Sequence, residues 1–128
     1  MPVPERIPVR REAGYHTDQI GRYGNGNQYI GFVFFLEREQ RSLVSVLHLF
    51  DAKGAHLASE GWEGDPERAL EEAIAKLANA RPGDVSIRPF SVELLGTEFG
   101  LVQDGDESVE YRPYGLAFFP PWDGTYDT

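Results

Sequence analysis

RYGNGNQYIGFVFFLE, residues 22–37, is the stretch that decides the fold. Asn25 and Gly26 favour the positive backbone dihedral angles of a type I′ turn, so the sequence predicts a β-hairpin with strands near residues 18–23 and 28–36. In the second strand both faces are apolar: Tyr29, Val33 and Phe35 alternate with Ile30, Phe32, Phe34 and Leu36. A strand with two apolar faces needs cover on both, so we expect it at the centre of a sheet or against a second subunit.

A second hairpin is predicted in SLVSVLHLFDAKGAHLASEGW, residues 42–62. Residues 51–54 fit a type I turn closed by a glycine bulge, which would pair Asp51 with Ala55. In that register one face carries Leu43, Leu47, Leu49 and Leu57, which we expect to be the core side. The opposite face then carries Val44, Val46, His48, Phe50, His56, Glu60 and Trp62.

One helix is predicted over about residues 65–80, within GDPERALEEAIAKLANARPGD. Asp65 is expected to cap its first amides, and Pro66 suits the first helical position. The buried stripe is Leu70, Ala73, Ile74 and Leu77. Strand patterns return after Val85 with turns at Gly96 and at residues 104–107. The order of elements predicts that residues 1–128 form a single α+β domain with a mainly antiparallel sheet and the helix packed on one face.

Charge and composition exclude several classes of function. The formal net charge is −9, so phosphate backbones and anionic membranes would repel the surface, and we expect neither as a partner. The absence of cysteine excludes disulfides and suits a reducing compartment. The N-terminal segment MPVPERIPVRRE lacks the apolar stretch of a secretion signal. A cytoplasmic location is the resulting expectation.

His48, His56 and Glu60 form the one candidate metal cluster. In the predicted register they share a sheet face, and imidazole and carboxylate groups are suitable zinc ligands. The alternative is that these are solvated or hydrogen-bonded polar residues on the less buried face, and this is the interpretation that the sequence favours. No serine stands in the context of an activated nucleophile. We therefore predict no catalytic residues, no metal and no cofactor.

The C-terminal stretch GLAFFPPWDGTYDT, residues 115–128, has two interpretations. Its aromatic residues carry large apolar area, so it is predicted to fold back as a final strand and latch over sheet surface that one helix leaves bare. Alternatively, Pro120, Pro121 and Trp122 form an exposed docking element for another protein. The candidate binding residues are Trp62, Phe118, Trp122, Asp123 and Tyr126.

Several segments resemble a family of small bacterial proteins labelled formate hydrogenlyase regulatory protein. They are IPVRRE (7–12), IGRY (20–23), LHLFDAKG (47–54), IRPF (87–90), FGLV (99–102) and PWDGTYDT (121–128). The resemblance spans most of the chain and implies a regulatory role, but it carries over no catalytic or binding residue. A DNA-binding regulator needs a basic reading helix, whereas the predicted helix is acidic and apolar. The resemblance therefore implies regulation through protein contacts.

Two classes of function remain. The sequence favours a non-enzymatic protein-binding or regulatory module that uses an acidic rim and an aromatic sheet face. The alternative is a small metal-dependent or ligand-binding enzyme built on His48, His56 and Glu60. Self-association as a homodimer is also predicted, because residues 30–36 need cover on both faces.

Overall fold

The structure, a computed structural model, describes residues 3–128 as an α+β fold of eleven strands and one helix. Met1 and Pro2 lie outside the described residues. The elements are β1 Ile7–Val9, β2 Ile20–Tyr23, β3 Asn27–Leu36, β4 Ser42–Phe50, β5 His56–Trp62, α1 Pro66–Ala75, β6 Arg81–Pro82, β7 Val85–Ile87, β8 Phe90–Leu94, β9 Thr97–Gln103, β10 Val109–Arg112 and β11 Leu116–Phe118.

The strands form three antiparallel sheets. The largest has the order β5-β4-β3-β2-β6, so β3 lies at its centre as the sequence predicts. A four-stranded meander has the order β11-β10-β9-β8, and β1 pairs with β7 in a two-stranded ribbon. Within residues 3–128, no helix has the length and apolar character needed to cross a membrane.

The main core lies between the five-stranded sheet and the meander. One face of β3 and β4 meets residues of β8–β11, and the β1–β7 ribbon adds Ile7, Val9, Val85 and Ile87 to the same apolar cluster. The opposite face of the large sheet is covered by α1, whose Leu70 packs with Tyr29 and Leu47. The meander-side face of β3 is therefore covered within one chain, whereas α1 covers the other face at Tyr29 but leaves Phe35 52% exposed, and the predicted homodimer stays a prediction.

The prediction that the leucine face of the second hairpin faces the main core is wrong. Val44, Val46 and Phe50 face the main core, whereas Leu47 and Leu49 lie under the helix. The turn forms as predicted, since the Asp51 amide donates to the Ala55 carbonyl at 2.9 Å. However, Phe50 pairs with His56 and Leu49 pairs with Ala58, so Leu57 is an extra residue in the ladder. Leu57 is consequently 54% exposed.

The first hairpin also closes differently from its prediction. Tyr23 pairs with Asn27, and the backbone angle φ is positive at Gly24 and Gly26 but not at Asn25, so the loop has three residues rather than a type I′ turn. A two-residue loop with both φ angles positive occurs instead at Leu95 and Gly96, between β8 and β9.

The helix is shorter than predicted. It spans Pro66–Ala75 rather than 65–80, and Asp65 makes no side-chain capping bond. Its predicted apolar stripe is confirmed, since Leu70, Ala73, Ile74 and Leu77 all belong to the cluster beneath it. The helix ends early because residues 76–80 turn back toward the sheet, where the Ala78 carbonyl accepts from the Gly24 amide at 2.6 Å and β6 pairs with β2.

Gln28 fastens β3 to the loops at one end of the fold. Its side chain is fully buried, and its Nε2 donates to the carbonyls of Asp51 and Ser86, each at 3.0 Å. Its Oε1 accepts from the Ser86 amide at 2.7 Å. A single side chain thus satisfies three backbone groups from segments distant in sequence.

We predict that Gln28→Ala lowers the free energy of unfolding by about 2–4 kcal/mol, because buried backbone groups lose their partners. The matched control is Gln103→Ala, since Gln103 is exposed and its one hydrogen bond joins it to nearby Gly105. The control should change stability by less than about 0.5 kcal/mol in urea denaturation. Equal effects of the two substitutions would contradict the assigned role of Gln28.

Candidate functional site

One edge of β3 is only half paired. Residues 28–36 pair with β4 along one edge, but on the other edge β2 pairs only with residues 27–30. The last bond on that side joins the Gly31 amide to the Gln19 carbonyl at 2.8 Å, and the chain leaves the sheet there. Among residues 3–128, nothing pairs with residues 32–36 along this edge.

Val33 and Phe35 carry the unpaired backbone groups. Successive residues of a strand direct their N–H and C=O groups to opposite edges, and the Gly31 amide points to the β2 side. The amides and carbonyls of Val33 and Phe35 therefore also point there. Such a row of groups is a template for pairing with another strand.

A cleft of about 950 Å³ lies along this open edge. Leu70 and Phe35 line it from the helix side of the sheet, and Phe34 and Tyr114 line it from the meander side. The loop that contains Tyr15 and other residues before β2 forms the far wall. Because both faces of β3 contribute, the cleft occupies the position that a further strand of the sheet would take.

Gly31 brings the helix close to this edge. A β-carbon on Gly31 would lie 2.9 Å from Leu70 Cδ1, so only glycine allows this close approach without a shift of the leucine. The close packing sets Glu67 and Glu71, which flank Leu70 in sequence, at the mouth of the cleft. Two carboxylates therefore border the open strand edge.

The cleft is acidic. Its lining contains four carboxylates, one arginine and one histidine: Asp18, Glu37, Glu67, Glu71, Arg41 and His16. Asp18 is paired with Arg11 at 2.9 Å and Glu37 with Arg41 at 2.6 Å. Glu67 and Glu71 are exposed, and no described residue pairs with them. The two unneutralised carboxylates are one helical turn apart, an arrangement that weakens an isolated helix slightly.

The wall opposite α1 is a packed aromatic cluster. The Tyr114 ring stacks on Phe34 with centroids 4.5 Å apart, and its hydroxyl lies 2.6 Å from His16 Nδ1. His16 in turn contacts the Tyr126 ring edge-on at 5.9 Å. Burial raises the pKa of Tyr114, so its hydroxyl stays protonated and able to donate. The C-terminal segment thus supports the cleft wall from behind.

Phe35 is the main exposed apolar group at the cleft. It is 52% exposed, and the Arg41 guanidinium lies 4.3 Å from the centre of its ring. Tyr15, on the far wall, is 71% exposed. These rings give the cleft apolar contact surface beside its acidic groups.

The predicted binding residues at the C-terminus are packed onto the fold. Phe118 is buried in β11, and Trp122 and Tyr126 pack against the main core. Asp127 forms a β-bridge with Ala117, and the Gly124 carbonyl accepts from the Arg10 amide at 2.9 Å. The segment therefore folds back as the latch interpretation expects, although the meander rather than the latch covers most of the sheet.

The other two predicted binding residues lie apart from one another. Trp62 packs with the cluster under α1. Asp123 accepts hydrogen bonds from the amide and the hydroxyl of Thr125, and the hydroxyl bond is the main reason that the pKa of Asp123 is lowered. The five predicted binding residues are thus not brought together into one surface.

The three candidate metal ligands do not form a cluster. The extra residue at Leu57 places Glu60 opposite Leu47, on the helix side, whereas His48 and His56 lie on the core side. Both ring nitrogens of His48 are engaged by other side chains. Within residues 3–128, no three His, Asp or Glu side chains are grouped so as to hold an ion.

His48 instead belongs to a chain of hydrogen bonds. Its Nε2 lies 2.7 Å from the Tyr111 hydroxyl and its Nδ1 lies 2.6 Å from Ser59 Oγ. Ser59 Oγ is also 2.6 Å from His56 Nε2. His48 is fully buried, contrary to its predicted place on the less buried face.

Burial fixes the direction of this chain. The buried Tyr111 hydroxyl needs an acceptor, so it donates to His48 Nε2, and His48 Nδ1 then donates to Ser59. The serine hydroxyl donates onward to His56. All four groups are satisfied with both imidazoles neutral. Burial, with a smaller effect of His56, accordingly lowers the pKa of His48 to about 3, and burial also lowers the pKa of His56.

The chain matches no known protein-family model, no curated protein and no solved structure. Function is therefore inferred from the cleft itself. Sequence reasoning missed its residues, above all Glu67, Glu71 and Tyr114. One signal was available, since the predicted first strand is shorter than the strand that follows it, and this mismatch implies an edge without a partner.

Stability should depend on pH through His48. Its folded pKa of about 3 lies below the ordinary value of 6.5, so between these pH values the unfolded chain binds a proton that the folded chain does not. The free energy of unfolding should therefore fall as pH falls through this window. From pH 7 to 4.5 the wild type should lose about 2–3 kcal/mol more than His48→Gln. Urea denaturation at each pH measures this. The prediction would be contradicted if the free energies of unfolding of the two proteins changed equally with pH. An NMR signal of a charged His48 ring at pH 4.5 would also contradict it.

The C-terminal latch can be tested at Gly124. Its φ is +93°, and a β-carbon there would lie 2.9 Å from the Arg10 amide nitrogen. Gly105 also has positive φ, but nothing lies within 4 Å of its β-carbon position. We expect Gly124→Ala to lower the free energy of unfolding by about 1–2 kcal/mol more than Gly105→Ala in urea titrations. Equal losses would contradict the close packing of Gly124 against Arg10.

Proposed function

We propose that this protein is a non-enzymatic protein-binding module whose ligand occupies the cleft along β3. The observation that carries the proposal is the row of unpaired backbone groups at Val33 and Phe35, which lies inside a concave surface rather than on a flat rim. Backbone donors and acceptors of this kind bind polypeptide by general hydrogen bonding, and side-chain contacts add selectivity.

The surroundings of the edge support a pre-formed site. One face of β3 packs on the meander and the other packs under α1 at Tyr29 and Val33, and two walls of the cleft are α1 and the stacked Tyr114. A rigid site loses little conformational entropy on binding. The proposal places the module in the cytoplasm, where occupying a segment of another protein is a means of regulation, the role that the sequence resemblance implies.

The metal-dependent alternative has less support. Its three residues are divided between two faces of the sheet, and the side-chain contacts of His48 leave neither ring nitrogen for an ion. A homodimer stays a prediction: the open edge is a surface on which a second copy could pair, but it would bring the Glu67 and Glu71 carboxylates of both copies to one cleft mouth.

In-cell photocrosslinking tests the proposal. A photoreactive phenylalanine analogue at Phe35 should form covalent adducts with other proteins. The matched control places the analogue at Leu57, which is similarly exposed but lies on β5, away from the cleft. Adducts specific to position 35, identified by mass spectrometry as other proteins, support the proposal. No adducts, equal adducts at both positions, or adducts only with a second copy would contradict it.

A further inference from the structure

We infer that the ligand of the cleft is an extended segment in which basic and apolar residues alternate, added to β3 as an antiparallel strand. This inference rests on the proposed function and names the chemistry of the partner. It is carried by three features of the cleft: the unpaired edge, the two uncompensated carboxylates of α1, and the aromatic wall on the other side of the sheet.

The open edge sets the length and direction of the segment. On the β2 side no described strand pairs with residues 32–36, so about five residues of an added strand, or about 17 Å, fit beside them. Every pairing in the three sheets is antiparallel, and β2 already runs antiparallel to β3 along the same edge. A strand in that direction continues the existing ladder beyond Gln19.

The two faces of the cleft set the alternation. Val33 and Phe35 point to the helix side, so ligand residues opposite them also direct their side chains toward α1. The neighbouring ligand residues point toward Phe34 and Tyr114 on the meander side. One set of side chains therefore meets carboxylates and the other meets aromatic rings.

The spacing of the carboxylates matches a strand. Glu67 and Glu71 are separated by one helical turn, with β-carbons about 5–6 Å apart. Alternate residues of a strand are about 6.7 Å apart, so two successive helix-side lysines or arginines reach one carboxylate each. Since no described residue neutralises these glutamates, a basic ligand supplies charges that the fold lacks.

This arrangement also determines which backbone amides of the ligand form hydrogen bonds with β3. Val33 and Phe35 direct their backbone groups outward, so in an antiparallel pair the ligand residues opposite them exchange both hydrogen bonds. Those are the residues whose side chains face α1. The basic residues of the ligand therefore donate the amides that bind β3, and the amides of the apolar residues point to solvent.

The test uses fluorescein-labelled Lys-Val-Lys-Val-Lys-Val as the probe and fluorescence anisotropy as the measurement. N-methylation of the lysine amides should weaken binding by about tenfold or more, whereas N-methylation of the valine amides should change it less than about twofold. The protein is unchanged in this comparison, so loss of folding cannot explain a difference. The inference is overturned if methylation of the valine amides weakens binding as much as, or more than, methylation of the lysine amides. It is also overturned if the unmodified peptide does not bind.

Charge reversal provides the second arm. Glu67→Lys with Glu71→Lys should weaken binding of Lys-Val-Lys-Val-Lys-Val about tenfold and allow binding of the labelled peptide Glu-Val-Glu-Val-Glu-Val. The matched control is Glu93→Lys with Glu98→Lys, an exposed cross-strand pair on the meander that changes net charge equally. Equal effects of the two double variants overturn the role of α1. If position 35 crosslinks to proteins while the peptide arms fail, the proposed function stands and strand addition does not.

Discussion

Strand β3 has ten residues, but its neighbour β2 has four, and this difference in length leaves one edge of β3 beyond Gly31 without a partner strand among residues 3–128. The two faces of β3 are packed against α1 and the meander, so its side chains are largely unavailable. Its backbone is accessible at one place only among the described residues, the edge beyond Gly31. That edge lies in a groove walled by a helix, a loop and Tyr114.

The remaining structure holds this edge in place. Gln28 fixes the start of β3 to the loops near Asp51 and Ser86, and Gly31 lets Leu70 anchor the helix directly above the strand. The hydrogen bonds that run from Tyr111 through His48 and Ser59 to His56 cross the core. They connect β10 to β4 and β5. These contacts hold β3 between the helix, the loops and the meander.

Much of the fold could be predicted from local patterns, because the signals for β3, the meander strands and the apolar stripe of α1 lie within short windows. The choice of core face could not, because both faces of β3 and β4 are apolar and a single extra residue at Leu57 changes the register of β5. The pairing of β1 with β7 joins segments far apart in sequence and has no local signal. The unequal lengths of the first two predicted strands indicate an open edge, but the walls of the cleft have no local signal, since Tyr114 and Glu67 line it from segments far apart in sequence.

Amide hydrogen exchange followed by NMR tests the open edge most directly. The amides of Phe32 and Phe34 bond to β4, whereas those of Val33 and Phe35 point into the cleft. We predict that exchange alternates, with fast exchange at residues 33 and 35 and protected amides at 32 and 34. Strong protection of all four amides would mean that the edge is already paired in solution and would contradict the open edge.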